Sequence, residues 1–133
     1  MNAGQLDIEV RDTVFDPDVP RANARVHFYK EDGKTIFKVH LYLQGYDLPY
    51  IESVTYTLHE TFLRPNRTVR RTPSNPNCKL MIWTWGLFVV KATIVDIKGF
   101  NYSLEHALTY DRELPPAGDS KYVHEDESSL APA

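Results

Sequence analysis

The sequence predicts an all-β fold, namely an immunoglobulin-like β-sandwich of about seven to eight antiparallel strands. Apolar residues alternate with a period of two along most of the chain, which is the pattern of strands that bury one face. Glycine, proline, asparagine and aspartate separate these runs at short intervals, as turns do in sandwiches. No window spaces its apolar residues as an amphipathic helix would.

Eight stretches carry the strand pattern, and each ends at residues that favour turns. The strands are predicted at 6–10, 24–30, 35–43, 51–58, 68–70, 79–83, 87–97 and 102–110. Two prolines within 16–20 end the first strand, Gly45 and Pro49 turn the chain after the third, and Gly99 precedes the last. Residues 63–77 contain three prolines and four arginines, so we expect a loop with at most a short strand there.

A β-hairpin is predicted between the second and third strands, because Asp-Gly between two alternating runs is a strong hairpin signal. The loop is placed at 32–33. The predicted cross-strand pairs on the apolar face are Phe28 with Phe37 and Val26 with Val39. The opposite face, which we expect to meet solvent, carries His27, Tyr29, Lys38 and His40.

The length of 133 residues fits one domain with shorter flanking segments. We expect an N-terminal strand with a proline-containing segment at 1–20, the β-sandwich at 21–113 and an acidic tail rich in proline, serine and alanine at 114–133. The composition of this tail is typical of mobile chain.

The whole-chain properties indicate a soluble protein of the cytoplasm, or of the nucleus if the source is eukaryotic. A net charge of -3 is too small to attract nucleic acid or an anionic membrane strongly. The single cysteine, Cys78, excludes an internal disulfide and suits a reducing compartment. The sequence shows no secretory signal and no apolar run of membrane-spanning length.

Metal and enzyme motifs are incomplete. His59 and Glu60 begin like a zinc-protease motif, but that motif needs a second histidine where position 63 is leucine. His27 and His40 lie near each other across the predicted hairpin, but two imidazoles without a third ligand make a poor zinc site. The sequence has no nucleophile elbow or phosphate-binding loop. We therefore expect no metal, no cofactor and no enzymatic activity.

A basic cluster lies in the loop at 63–77. It consists of Arg64, Arg67, Arg70 and Arg71. Such a cluster can bind an acidic partner or a phosphate group. Alternatively, the cluster lies in a solvated loop, and the acidic tail balances its charge. This interpretation needs no partner, and we favour it. Direct nucleic-acid binding would need more positive charge with interleaved exposed aromatic residues, so we do not expect it.

Two aromatic residues near strand ends suggest a binding slot. Phe62 follows the strand at 51–58, and Trp85 precedes the strand at 87–97. Because loops at one end of a sandwich lie close together, the two rings can meet and hold a thin, planar, apolar guest. His59 and Thr61 would add polar groups at its rim. Alternatively, both rings plug the end of the core, which is the commoner use of aromatic residues.

These same residues resemble the motifs of YEATS domains. SVTYTLHETFLRPNRTV at 53–69 resembles the family's strand that runs into Leu-His-x-Ser/Thr-Phe, followed by proline and basic residues. TWGLF at 84–88 resembles its Gly-Trp/Tyr-Gly-x-Phe loop, at the usual distance downstream. The ending DIKGFNYSLEHALTYD at 96–111 is similar to the prokaryotic branch. The resemblance covers roughly 35–113, and two motifs in order at matched spacing are fairly specific.

The resemblance implies an immunoglobulin-like sandwich, in agreement with the strand count, and a site for an acylated lysine. Eukaryotic members read acetylated and crotonylated lysines of histone tails. By resemblance, Phe62 and Trp85 would sandwich the acyl amide, while Thr61 and the Trp85–Gly86 backbone would hydrogen-bond to it. The implied ligand-binding residues are His59, Thr61, Phe62, Trp85, Gly86 and Phe88.

The walls of the implied slot combine family-like and divergent residues. His59 would help to shape the slot, and Phe88 matches a pocket-wall aromatic. Thr84 stands where the family usually has glycine, and Leu87 stands at a position that is often small or acidic. An open slot and a slot filled by these side chains are both compatible with the sequence.

Two functions follow from these alternatives. The first is a non-enzymatic module that binds a protein or peptide through an acylated lysine or a similar flat acyl amide. The second is a protein-interaction or scaffold sandwich of a prokaryotic signalling or conflict system, with no open pocket. Short edge-like strands permit dimers but do not predict them, so the sequence leaves the oligomeric state open.

Overall fold

The structure is a computed structural model that describes residues 5–125. Within that range the chain forms nine strands in two sheets, which confirms the all-β sandwich. The strands are β1 Glu9–Thr13, β2 Val26–Glu31, β3 Lys34–Gln44, β4 Ile51–Thr57, β5 Asn66–Arg70, β6 Leu80–Thr84, β7 Val89–Asp96, β8 Asn101–Ala107 and β9 Tyr122–His124. No helix in the described residues is long and apolar enough to cross a bilayer.

Strand β3 organises the larger sheet, which has the order β1-β3-β2-β9 with β6 also paired to β3. The smaller sheet has the order β5-β4-β7-β8. Side chains that alternate along the strands fill the space between the sheets. The fully enclosed members of this core include Val26, Val39, Leu41, Leu43, Val54, Tyr56, Val90 and Ile94.

The β2–β3 hairpin has the predicted loop. Asp32 and Gly33 both have positive φ angles, 52° and 77°, as a two-residue type I′ turn requires. The paired register runs from Glu31–Lys34 to Phe28–Phe37, which confirms the predicted pairing of the two phenylalanines.

The outer face of this hairpin is not the solvated surface that the sequence predicted. His40 is only 3% exposed, because the segment between β1 and β2 folds over it. In that segment Val14, Phe15 and Ala24 are buried. A cavity of about 120 Å³ remains between this segment and the sheet, lined in part by His27 and His40. Alternation alone cannot reveal such a cover, since the covering residues come from a loop.

Burial changes the protonation of His40. Loss of solvent lowers the pKa of its imidazole to about 4, and the opposing attraction of Asp16 is too weak to restore it. The Nδ1 atom has no hydrogen-bond partner among the described residues. His40 is therefore neutral at pH 7, and its protonation opposes folding.

Part of the predicted tail also belongs to the fold. Strand β9 pairs with β2 in parallel, and the Phe28 and Tyr122 rings meet edge to face at 5.8 Å. Nδ1 of His27 lies 2.6 Å from Oε1 of Glu125. The expectation of mobile chain from 114 onward was therefore wrong for 122–125, because β9 pairs with the free edge of β2 and the Glu125 N–H donates to the Phe28 carbonyl. Residues 126–133 of the predicted tail lie outside the described residues.

The stability of the protein should fall as the pH drops from 7 to 4. An unfolded histidine takes up a proton near pH 6.5, whereas His40 takes one up only near pH 4. The contribution is fully present above pH 6.5 and is lost as the pH falls toward 4, a total on the order of 3 kcal/mol.

Urea unfolding at both pH values checks this expectation. His40→Leu removes the titrating group and should reduce the pH-dependent loss of unfolding free energy by that amount. His124→Ala removes an exposed histidine and is the matched control. An equal pH-dependent loss in His40→Leu and the native protein would contradict the assignment.

Candidate functional site

The β4–β5 loop forms a compact corner at one end of the sandwich. The Leu58 N–H donates to the Pro65 carbonyl at 2.7 Å, which closes the loop, and the Phe62 N–H donates to the His59 carbonyl at 3.0 Å. The Thr61 N–H donates to Nδ1 of His59 at 3.2 Å, so this nitrogen is an acceptor. The Thr61 hydroxyl, 2.9 Å from the same nitrogen, therefore donates to it and keeps its lone pairs available.

Phe88 lies at the centre of an aromatic cluster at this corner. Its ring centroid lies 5.6 Å from that of Phe62, at an interplanar angle of 59°. The His59 ring meets Phe88 edge-on at 6.1 Å. Phe62 and Phe88 are partly buried, whereas His59 and Thr61 are exposed. Phe62 and Phe88 therefore form an aromatic surface at this corner, and the polar groups of His59 and Thr61 lie on its solvent-exposed side.

The β6–β7 loop stands at the same end of the sandwich. β4 and β7 pair antiparallel, with Thr57 opposite Lys91, and this register brings the end of β4 beside the start of β7. The Tyr110 hydroxyl donates to the Gly86 carbonyl at 3.1 Å. The Leu108 N–H donates to the Phe88 carbonyl at 3.1 Å. Both ends of the loop are thus held by the chain that follows β8.

Thr84 fits the position where the resembling family usually has glycine. It ends β6 opposite Phe37 and is only 6% exposed. Within the described residues only Asp32 and Cys78 combine a side chain with a positive φ, so the Thr84 backbone needs no glycine. The divergence at this position leaves the loop geometry unstrained.

Trp85 projects from the loop and is 59% exposed. The Lys34 ammonium lies 4.0 Å from the ring centroid, in a cation–π contact. In the part of the chain that the structure describes, no ring contact joins Phe62 to Trp85. Leu87 is 55% exposed, so its side chain is not packed into the core.

The backbone of the β6–β7 loop offers hydrogen-bond donors. Among residues 5–125 the N–H groups of Trp85 and Gly86 have no protein acceptor. A carbonyl oxygen is the group that such donors bind. The corner therefore combines aromatic faces, an available hydroxyl oxygen and free backbone donors, which suits a flat amide.

Two contacts of this site were not predicted from the sequence. Lys34 closes the β2–β3 hairpin and reaches Trp85 only because β3 and β6 pair, with Phe37 opposite Thr84. Tyr110 continues the alternation of the last predicted strand, so its burial was readable, but its hydrogen bond to Gly86 was not.

The cysteine and two arginines of the basic cluster, Arg70 and Arg71, lie outside this corner. Burial raises the pKa of the Cys78 thiol to about 11, which keeps it protonated and unreactive at neutral pH. Arg70 pairs with Glu52 at 3.3 Å, and Arg71 donates to the Pro76 carbonyl. No three His, Cys, Asp or Glu side chains within residues 5–125 are placed to hold a metal ion.

Comparison with known families gives a match over most of the sandwich. The family model of the prokaryotic YEATS domain matches residues 37–109. The chain belongs to the prokaryotic YEATS family. The match includes both loops of the corner and ends just before Tyr110. No curated protein matches this sequence.

Solved structures support the same YEATS fold. One of them is "The Yaf9 YEATS domain Recognizing H3K122suc Peptide", with a TM-score of 0.52. The two sequences are 16% identical, and the match covers 80% of this chain and 78% of that chain. At this identity the likeness establishes the sandwich architecture.

Tyr110→Phe should loosen the β6–β7 loop without unfolding the domain. The variant removes one hydrogen bond to the Gly86 carbonyl, which we expect to cost about 1 kcal/mol of unfolding free energy. Urea unfolding measures that cost, and amide hydrogen exchange at Leu108, whose N–H donates to the Phe88 carbonyl at the end of the same loop, should become faster. Tyr46→Phe, at an 89% exposed tyrosine, is the control and should change neither. Unchanged exchange in Tyr110→Phe would show that the bond does not hold the loop.

Proposed function

We propose that this YEATS domain is a non-enzymatic module that binds an acylated lysine of a protein or peptide between Phe62 and Trp85. The observation that carries the proposal is the β6–β7 loop, where an exposed indole stands beside backbone N–H groups that have no acceptor in the described residues. The proposed setting is the prokaryotic cytoplasm.

The chemistry of an acylated lysine suits these groups. Acylation removes the ammonium charge, so the side chain can enter an apolar slot without the cost of burying a cation. The remaining amide is flat and polar, and it can stack on aromatic rings while its polar atoms form hydrogen bonds. In this proposal the acyl carbonyl accepts from the Gly86 N–H, and the amide N–H donates to the Thr61 hydroxyl oxygen.

Lys34 limits how the ligand can approach. Its ammonium covers one face of the Trp85 ring, and in this proposal the acyl amide stacks on the opposite face. Exposed cation–π contacts are worth about 0.5–1 kcal/mol, so a ligand can also displace the lysine at small cost.

The same contact favours a second candidate, a scaffold domain without an open pocket. If Lys34 closes the slot, Trp85 is a structural cap and the sheet surfaces bind the partner. The two candidates differ in what Lys34→Gln does. For a reader the peptide Kd should change by no more than about fivefold, the worth of one exposed cation–π contact. If Lys34→Gln binds acyl-lysine peptides and the native protein does not, the scaffold candidate is favoured.

Peptide titration tests the reader function. Fluorescently labelled peptides with acetyl-lysine or crotonyl-lysine should bind saturably, and unmodified lysine should not. Trp85→Ala and Phe62→Ala should each weaken binding by at least about tenfold, since each removes one stacking face. Tyr46→Ala, at an exposed aromatic residue outside the corner, is the control.

Melting curves must show that each variant remains folded. If Trp85→Ala is folded and binds as tightly as the native protein, the slot is not the binding site. Equal affinity for acylated and unmodified peptides would likewise contradict the proposal.

Thr61 provides a finer test of the amide contact. Thr61→Val removes the hydroxyl oxygen and should weaken acyl-lysine binding by about fivefold to tenfold, the worth of one hydrogen bond. Thr61→Ser keeps the hydroxyl and should bind nearly as tightly as the native protein. Equal affinities of the valine and serine variants would remove Thr61 from the site.

A further inference from the structure

Strand β1 has one hydrogen-bonded edge and one free edge. The Leu43 N–H donates to the Asn77 carbonyl, and the Leu43 carbonyl accepts from the Asn77 amide, so both groups point away from β1. Val10 lies opposite Leu43 in the antiparallel register. Because such pairs alternate, Val10 and Asp12 direct their backbone groups away from β3.

These outward groups are unpaired within the described residues. The N–H and C=O of Val10 and Asp12 have no hydrogen-bond partner there. The next outward donor, the Val14 N–H, is satisfied by Oε1 of Glu113 at 3.1 Å. Val10 and Asp12 are only 4% and 7% exposed, and backbone groups at such positions normally have a partner.

A groove runs along this free edge. Every residue of β1 lines a cavity of about 760 Å³. The cavity is also lined by residues of the segment after β1, by one residue of β3 and by residues at and after the end of β8, namely Phe15, Asp16, Pro17, Val19, Arg21, Tyr42, His106, Thr109, Arg112 and Glu113. We call this space the β1-edge groove. It is separate from the corner of Phe62 and Trp85, none of whose residues line it.

The acidic side chains of the groove already have partners. Asp12 accepts from Nε2 of His106 at 2.6 Å and from the Thr109 N–H and hydroxyl. Burial raises the pKa of Asp12, but these bonds outweigh it and hold the pKa below its usual value. Glu113 accepts from the Thr13 hydroxyl and the Val14 N–H. Asp16 accepts from the Lys79 ammonium at 2.9 Å.

The arginines of the groove are available. Arg21 stacks on the Phe15 ring at 3.8 Å, and within residues 5–125 neither Arg21 nor Arg112 forms an ion pair. Arg11 makes one loose contact with Glu9 at 3.6 Å, and both side chains are about half exposed. A guanidinium binds carboxylates through paired N–H groups. Within the described residues, two kinds of groups in the groove are thus without partners. They are the backbone N–H and C=O groups of Val10 and Asp12 and the guanidinium groups of Arg21 and Arg112.

We propose that the β1-edge groove binds an extended acidic peptide segment of a partner protein as an added strand beside β1. The peptide backbone pairs with Val10 and Asp12, and its carboxylates meet Arg21 and Arg112. Main-chain pairing gives affinity in this mode, and side chains give specificity. The opposite edge of the sheet is filled in the same way by β9 of the chain itself.

An eight-residue peptide of alternating glutamate and valine is the probe. At saturation, amide hydrogen exchange at Val10 and Asp12 should slow by at least about tenfold, as new strand pairing protects these groups. A peptide with lysine in place of glutamate should bind at least tenfold more weakly. A peptide N-methylated at alternate backbone nitrogens should not protect these amides.

Protein variants separate the backbone from the charges. Arg21→Gln combined with Arg112→Gln should raise the Kd by at least about tenfold, and Arg64→Gln, in the β4–β5 loop, is the matched control. Val10→Pro removes a free N–H from the edge of β1, a change that edge strands tolerate. In this variant the probe should no longer slow amide hydrogen exchange at Asp12. Trp85→Ala should bind the probe normally, which distinguishes the groove from the acyl-lysine slot.

Three results would overturn the proposal. The first is no protection of Val10 and Asp12 at millimolar probe. The second is equal binding of the glutamate and lysine peptides. The third is concentration-dependent protection without any probe, accompanied by dimerisation, which would make a second copy of this chain the occupant. If Val10→Pro fails to fold by thermal melting, the N-methylated peptide decides the backbone contribution.

Discussion

The pairing of β3 is the constraint on which the rest of the structure depends. This eleven-residue strand pairs with β2 through its first half, with β1 through its second half and with β6 along its middle. Its alternate residues Val39, Leu41 and Leu43 are fully buried, so a shift of one residue would move them from the core to the outer face. The register of β3 therefore fixes where the neighbouring strands end.

Both proposed binding surfaces follow from that register. Pairing with β6 sets Thr84 opposite Phe37, and the chain then leaves the sheet at Trp85, within reach of Lys34. Pairing with β1 leaves Val10 and Asp12 directed outward. The first surface would recognise one side chain by stacking and hydrogen bonds, and the second would recognise an extended backbone. Because they use different groups, substitutions at one should leave the other intact.

Sequence patterns predicted most of the fold because each strand carries its own alternation and its own turn residues. The loop at 32–33 and the pair Phe28–Phe37 show this most clearly, since a type I′ turn fixes the register beside it. Strand β9 was missed because its three residues are too few to show alternation, and it exists only because β2 has a free edge. His40 was assigned to solvent because a covering loop has no periodicity to read.

For the candidate site, the sequence by itself determined the residue types and their order: Thr61 and Phe62 after one strand, Trp85 and Gly86 before another. Residue types and their spacing are properties of the sequence itself, and they sufficed to indicate the YEATS family. The tertiary structure alone decided that Phe62 packs on Phe88, that Lys34 covers Trp85 and that Tyr110 holds Gly86. Such contacts join residues distant in sequence, and they depend on strand register and packing, which no local pattern encodes.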